Sequence, residues 1–315
     1  MNKMVKKALS ALSRYDADLL HNYNKTRQFE KNARPYYNRF SCNMMERILH
    51  LPAEYGMPER DILVRAFSRD GKIAPLMLFF HGGGFVTGDF DSYNAICANL
   101  AIQTGYKVLS VDYRLAPENP FPAGPEDCYA AFQQILEHCE DWYQTDPSQT
   151  ILCGDSAGGT LCFVTSLMAR DRGGMMPRKQ ILVYPAAWCD YRDKVPFTSV
   201  YENGTDYLLT IKKLQNYMTL YASSEEDYMN PYFSPLRNTD FKGLPETLLI
   251  TMEYDPLRDE GEELGRRLYQ DGVSLKYCFI PNGVHGMFSL PPTTPITWKI
   301  YRHIKQFLGV THVER

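Results

Sequence analysis

Thr150-Ile-Leu-Cys-Gly-Asp-Ser-Ala-Gly-Gly-Thr160 is the stretch whose reading decides the fold. Ile151-Leu-Cys153 is apolar and reads as a strand, Gly154-Asp-Ser-Ala-Gly158 as a turn. Leu161, Val164, Leu167 and Met168 then recur near helical spacing. Strand, sharp turn flanked by glycine, and helix, with serine at the apex, is the setting of a G-x-S-x-G nucleophile elbow. A side chain on Gly154 or Gly158 would collide with the adjacent strand or helix, so glycine suits both positions. The helix N-terminus aims its backbone N–H groups at the serine and favours negative charge there. Five small residues also match such a pattern by chance. Ser156 is a nucleophile only if the chain supplies a base, an orienting acid and donors for an oxyanion.

On both sides of this stretch, apolar strands alternate with helical patterns. Asp61–Phe67 and Leu76–Phe80 read as strands, the second as a continuous apolar run of the kind buried on both faces. A helix follows over about 93–104, then the strand Lys107–Asp112 and a helix over about 125–139. Beyond the elbow come the strand Gln180–Tyr184, the strand Thr247–Met252, a helix over about 257–270, the strand Ser274–Ile280 and a helix over about 294–308. The alternation predicts an α/β fold, with a mostly parallel, doubly wound sheet flanked by helices. It breaks from Ala186 to about Thr239, where Trp188, Phe197, Tyr201, Tyr207, Tyr217 and Tyr221 crowd the sequence. An insertion of roughly 50 residues is too long for a plain connection, so it is read as a helical cap over the sheet's carboxyl edge. Residues 1 to about 55 are polar, aromatic and strandless in pattern, with Leu9, Leu12, Leu19 and Leu20 marking an amphipathic helix. They are read as an accessory helix or the other part of the cap; a surface helix unrelated to the site is the plainer alternative. The chain, 1–315, is expected to be one domain with a cap formed by about 1–55 and about 186–239.

Bulk properties narrow the function. The 315 residues are 44% hydrophobic and 23% charged, ordinary for a globular chain with a large core. A formal net charge of -3 supplies no basic field for nucleic acid. The lysines near the N-terminus precede an apolar stretch broken by Ser10, Ser13 and Arg14, which does not read as a signal peptide. No uncharged apolar run approaches bilayer-spanning length, so no membrane span is expected. The eight cysteines are scattered and no pair shows C-x-x-C spacing. Neither a zinc site nor a disulfide framework is expected; reduced thiols and a cytoplasmic location are the simplest reading. No metal and no cofactor are implied.

The partners of Ser156 are sought where the fold would place them. The acid should lie in a loop just after a strand, and Glu253-Tyr-Asp-Pro-Leu-Arg-Asp259 follows the strand ending at Met252. Asp255 sits at the strand end, before the helix that Pro256 favours. Asp259 falls in that helix's first turn, where it would interact with the helix dipole. Asp255 is preferred, because ligand-facing positions of α/β sheets lie outside the carboxyl ends of strands. Of seven histidines, only His285, in Pro281-Asn-Gly-Val-His-Gly286, lies just past a late strand. The order Ser156, Asp255, His285 is the Ser…Asp…His order of α/β-hydrolases. The oxyanion donors should lie in an early glycine-rich loop, and His81-Gly-Gly-Gly-Phe85 directly follows a buried strand. The N–H groups of Gly83, Gly84 and Ala157 are the candidates. A phosphate-binding loop fits less well: no Lys-Ser/Thr follows and no G-x-G-x-x-G opens a helix.

The chain resembles the hormone-sensitive lipase-like family of α/β-hydrolases, in particular its bacterial esterases. The resemblance rests on His81-Gly-Gly-Gly84, Asp112-Tyr-Arg-Leu-Ala-Pro-Glu118, Gly154-Asp-Ser-Ala-Gly-Gly159, Asn230-Pro-Tyr-Phe-Ser-Pro-Leu236, Asp255-Pro-Leu-Arg-Asp-Glu-Gly261 and His285-Gly286. It runs from about residue 75 to the C-terminus; the first 50 or so residues match only loosely. It implies an α/β-hydrolase fold and a serine carboxylesterase that hydrolyses small short-chain acyl esters through an acyl-enzyme. Met287 stands where the family usually has Phe, and Asp155 places the chain with the Gly-Asp-Ser-Ala-Gly branch. Two other functions fit the scaffold. One is a lipase acting on longer acyl glycerides. The other is a non-catalytic small-molecule binding protein, since the family includes plant hormone receptors that lack the histidine; here all three positions are filled. The natural substrate, stereoselectivity and a homodimer are left open by the sequence.

Overall fold

The computed structural model describes residues 3–13, 19–33, 42–71 and 73–310. The strands within them are β1 (Asn43–Leu51), β2 (Arg60–Ser68), β3 (Leu76–Phe80), β4 (Lys107–Val111), β5 (Ile151–Asp155), β6 (Lys179–Val183), β7 (Glu246–Tyr254) and β8 (Leu275–Val284). They form a sheet in the order β1-β2-β4-β3-β5-β6-β7-β8. Strands β3 to β8 run parallel, and β2 is antiparallel to both β1 and β4. This is the mostly parallel sheet expected from the alternation, in the arrangement that the resemblance to α/β-hydrolases implies.

The helices are α1 (Lys3–Ser13), α2 (Leu19–Ala33), α3 (Asn94–Thr104), α4 (Ala123–Tyr143), α5 (Ala157–Asp171), α6 (Thr198–Asn203), α7 (Ile211–Tyr221), α8 (Arg258–Gln270) and α9 (Pro295–Leu308). Two cores flank the sheet, and β3 shows why. Leu76, Leu78 and Phe80 pack with Phe132 of α4, Phe163 of α5 and Leu264 of α8. Met77 and Phe79 point the other way, among Leu100 of α3 and Ile300 and Phe307 of α9. Side chains alternate along a strand, so a strand covered on both faces must be apolar throughout. Each large side chain so buried contributes about 1.5–3 kcal/mol. Helix α4 runs four residues past its expected end, and β8 extends to Val284, which carries the chain directly to His285.

The N-terminal expectation needs correction. Residues 43–51, placed in a strandless stretch of the cap, form β1 at the sheet edge, paired antiparallel with β2 from Asn43↔Ser68 to Leu51↔Arg60. Met44, Met45 and Ile48 are exposed there, and only Leu49 and Leu51 are buried. The strand therefore lacks the in-out alternation that would have revealed it. Of the amphipathic helix expected nearby, the described residues show two helices, α1 and α2; residues 14–18 lie outside them.

The insertion from 186 to 239 carries α6, α7 and short 3-10 turns at Glu225–Met229 and Pro235–Arg237. Helix α7 lies against the loop after β3: the Tyr221 ring stacks on Phe85 with centroids 4.0 Å apart. The eight cysteines are all unpaired thiols. Among the described residues, no helix is long and apolar enough to cross a membrane, and no cluster of His, Cys, Asp and Glu could hold a metal ion.

Candidate active site

β5 ends at Asp155 and α5 begins at Ala157, so Ser156 is the whole turn between them. Its backbone is at φ 53, ψ -125, a region that costs a non-glycine residue about 1–3 kcal/mol. The surroundings enforce it. The Ser156 N–H donates to the Val183 carbonyl at 2.8 Å. A Cβ on Gly154 would overlap the backbone of Gly158, and one on Gly158 would overlap the Phe80 carbonyl. The flanking glycines thus let helix and strand close on the turn.

The relay follows from strand pairing. β7 and β8 are parallel neighbours, paired as far as Tyr254↔Val284. The residues immediately beyond that pair are Asp255 and His285. His285 Nδ1 lies 2.8 Å from Asp255 Oδ2, and His285 Nε2 lies 2.8 Å from Ser156 Oγ. Asp255 is 1% exposed, and its other oxygen accepts the Leu257 N–H at 2.9 Å. With Nδ1–H donated to Asp255, Nε2 is left to accept the serine proton. Asp259, the alternative acid, is engaged elsewhere: it accepts the Ser199 N–H at 2.7 Å and pairs with Arg258 at 2.8 Å.

Gly82, Gly83 and Gly84 line a cavity with Ser156, Ala157 and His285. Gly83 and Gly84 have φ of 129° and 62°, and a Cβ on either would overlap Thr87 or the Tyr217 ring. The Gly83 carbonyl accepts from Val86 N at 3.1 Å and Thr87 N at 2.8 Å, which folds the loop back on itself. The Gly82 N–H is committed to Asp155 Oδ1 at 3.0 Å. The candidate oxyanion donors therefore remain those of Gly83, Gly84 and Ala157. The cavity holds about 180 Å³, and Ala186, Leu209, Leu214, Tyr217, Met218 and Leu257 make its apolar wall.

Several residues that sequence reasoning did not assign also shape the site. Tyr184 packs against His285 with ring centroids 4.7 Å apart, and its hydroxyl donates to Asp155 Oδ2 at 3.2 Å. Burial, then the Asp155 carboxylate, pushes that hydroxyl well above its ordinary pKa, so it stays protonated and a donor. His81, another of the seven histidines, is buried at the start of the glycine loop and stacks on Tyr113 at 4.5 Å. Tyr184 could have been flagged as the last residue of the strand expected over Gln180–Tyr184; Tyr217 carried no signal beyond being one of many tyrosines in the insertion.

The chain matches a family described by the alpha/beta hydrolase fold over residues 77–289. It is 37% identical over 225 residues to the carboxylic ester hydrolase LipN of Mycobacterium tuberculosis, covering 70% of this chain and 59% of that protein. It is 34% identical over 210 residues to the ethyl acetate hydrolase of Pseudomonas putida, covering 66% of this chain and 64% of that protein. The match thus spans less than two thirds of either relative. Among solved structures, a hyperthermophilic esterase from the archaeon Pyrobaculum calidifontis superposes with a TM-score of 0.87 at 31% identity, covering 100% of this chain and 99% of that one.

Proposed function

The chain belongs to the alpha/beta hydrolase fold family, and from that premise we propose that it is a serine carboxylesterase acting on small, uncharged, short-chain acyl esters, with Ser156, His285 and Asp255 as its catalytic residues. The observation that carries this reading is the relay Asp255–His285–Ser156, two contacts of 2.8 Å on a strained turn beside a glycine loop. Ser156 Oγ attacks the ester carbonyl carbon while His285 Nε2 takes its proton. The carbonyl electron pair moves to oxygen, and the alkoxide accepts N–H bonds from Gly83, Gly84 and Ala157. Collapse expels the alcohol, which takes the proton from His285, and leaves the acyl group on Ser156. Water then adds by the same route, the acid leaves, and Ser156 is restored. Asp255 holds the imidazole in the useful tautomer and stabilises the imidazolium without itself taking the proton.

Small substrates are favoured by the volume: about 180 Å³ is below the 300–1,000 Å³ typical of drug-sized ligands. Among the described residues, the wall over Ser156 is apolar and carries no Lys or Arg. The similarity to an ethyl acetate hydrolase points the same way. The test is hydrolysis of p-nitrophenyl butyrate by wild type and Ser156→Ala. Wild type should turn over, and the folded variant should lose on the order of 10⁴ to 10⁶ in kcat. Equal activity in both would remove Ser156 as nucleophile; preference for the octanoate would remove the short-chain part.

A further inference from the structure

We propose that Asp155, which lines the cavity but takes no step in the mechanism above, is a positioning residue that locks three separate segments of the site into one geometry; the inference rests on the esterase reading. Its own backbone is the last residue of the nucleophile's strand, paired with Val183 of β6. Its side chain is 3% exposed and lies between the other two segments. Toward the glycine loop, Oδ1 accepts the Gly82 N–H at 3.0 Å. The loop lies flat on Asp155: a Cβ on Gly82 would stand 2.8 Å from the Asp155 carbonyl oxygen and 3.0 Å from Oδ2. Toward the histidine loop, Oδ2 accepts the Tyr184 hydroxyl at 3.2 Å. That hydroxyl in turn accepts the Phe288 N–H at 3.2 Å, three residues past His285, and the Tyr184 ring bears on the imidazole. Tyr93 Oη approaches the same oxygen at 3.5 Å.

The chemistry calls for a carboxylate here. Donors converge on Asp155 from a main-chain N–H and from phenols, and an ionised carboxylate is an acceptor at both oxygens. Charge-assisted bonds in a dry site are stronger and more directional than neutral ones. The alternative conformations of the glycine loop are cheap for residues 82–84, because glycine resists few of them. A fixed anchor on Gly82 removes that freedom one residue before the first oxyanion donor. On the other side, Tyr184 sits at φ 40, a strained region for a tyrosine. Its backbone N–H is held by the Ile250 carbonyl at 2.7 Å, and the ring's far end by the two hydrogen bonds at its hydroxyl. Asp155 therefore sets the distance between oxyanion donors and nucleophile, and between nucleophile and base, through one group. Asparagine could keep the Gly82 bond with its carbonyl, but its NH₂ would face phenolic hydroxyls in place of an acceptor. Alanine would keep neither bond.

The experiment compares wild type, Asp155→Ala, Asp155→Asn and Tyr184→Phe on p-nitrophenyl butyrate, with folding checked by urea titration. A butyl trifluoromethyl ketone serves as the second probe. Ser156 Oγ adds to its carbonyl, His285 takes the proton, and the resulting tetrahedral alkoxide occupies the oxyanion hole. Asp155→Ala should lower kcat by about 10² to 10³, the loss seen for removing one oxyanion donor, with KM within about threefold. Asp155→Asn should fall between, by about tenfold, and Tyr184→Phe should resemble it. Affinity for the ketone should fall in step with kcat/KM, because both report the tetrahedral state. A folded Asp155→Ala that keeps kcat within threefold of wild type overturns the proposal. So does a loss confined to KM with ketone affinity unchanged. If Asp155→Ala does not fold, Asp155→Asn decides: kcat and ketone affinity both within twofold of wild type overturn it. A wild type inert on esters defeats the esterase reading itself, whereas an active wild type with an indifferent Asp155 defeats only this inference.

Discussion

At the scale of single residues, the site is governed by which positions cannot carry a Cβ. Gly158 is the strictest case, since an added methyl would overlap the Phe80 carbonyl, a backbone atom that cannot rotate away. Gly158→Ala should cost about 3–5 kcal/mol in urea unfolding and abolish ester hydrolysis, because helix α5 must move off β3 and takes Ser156 with it. Gly173 is the control: its φ of 68° is also left-handed, but nothing lies near its missing Cβ. Gly173→Ala should cost only about 1–2 kcal/mol and leave activity alone. Equal losses at the two positions would mean that the close approach of helix and strand is not what the glycine serves. This requirement was legible from Gly154 and Gly158 alone, because a motif five residues long defines a local turn. The role of Asp155 was not legible. Its partners Gly82 and Tyr184 stand 73 and 29 positions away, and only the assembled sheet brings them to one carboxylate.

At the scale of elements, β3 and β5 were readable because both their faces are buried, whereas the edge strand β1, with its first four residues exposed, was not. The N-terminal helices were the least readable part, and there the contacts are polar and distant in sequence. Arg27 of α2 donates to the Val86 carbonyl and to the Ala116 carbonyl, each at 2.7 Å, and forks onto Glu118 at 2.8 and 2.9 Å. The Ala116 N–H in turn donates to the Phe85 carbonyl at 2.9 Å. One side chain thus ties α2 to the far end of the glycine loop. Helix α1 is fastened separately, Ser10 donating to Asp206 and Ser13 accepting the Leu208 N–H, both at 2.8 Å. The ion pair is the weaker half of the Arg27 contact. Glu118 is 46% exposed, and such pairs are worth about 1 kcal/mol or less. The charge-assisted bonds to carbonyls are worth about 1.5–3 kcal/mol each. Glu118→Gln should therefore cost under about 1 kcal/mol and spare kcat. Arg27→Ala should cost about 2–4 kcal/mol and lower kcat several-fold, with faster amide exchange along α2. If Glu118→Gln does as much damage as Arg27→Ala, the ion pair and not the backbone staple holds the helix.

At the scale of the whole molecule, the sheet and the inserted segment are joined by a buried carboxyl group. Glu260 of α8 is fully buried. It accepts the Ala187 N–H at 2.7 Å and the Tyr191 hydroxyl at 2.9 and 3.0 Å, at the point where the chain leaves β6 for the insertion. Burial pushes its pKa from an ordinary 4.5 to about 8, and the hydrogen bonds from Ala187, Tyr191 and Trp188 only partly offset this. A carboxyl whose folded pKa is raised stabilises the fold fully below its unfolded pKa. Between about 4.5 and about 8 the folded chain holds a proton that the unfolded chain has released, so stability falls as pH rises through that window. Asp112, raised to about 6 by burial and by Asp89 and Asp91, adds a slope of the same sign over the lower part of the window. Glu260→Gln removes the titration while leaving a carbonyl for the Ala187 N–H and an amide for the Tyr191 oxygen. Its urea midpoint should therefore change less between pH 5 and pH 8 than that of wild type, and the gap between the two should move in favour of the glutamine variant at the alkaline end. The midpoints are to be taken with Asp112 intact, so that its contribution is common to both proteins. Midpoints that run parallel from pH 5 to pH 8 would show that Glu260 titrates alike in the folded and unfolded chains, and that the joint is held by the hydrogen bonds whatever the charge.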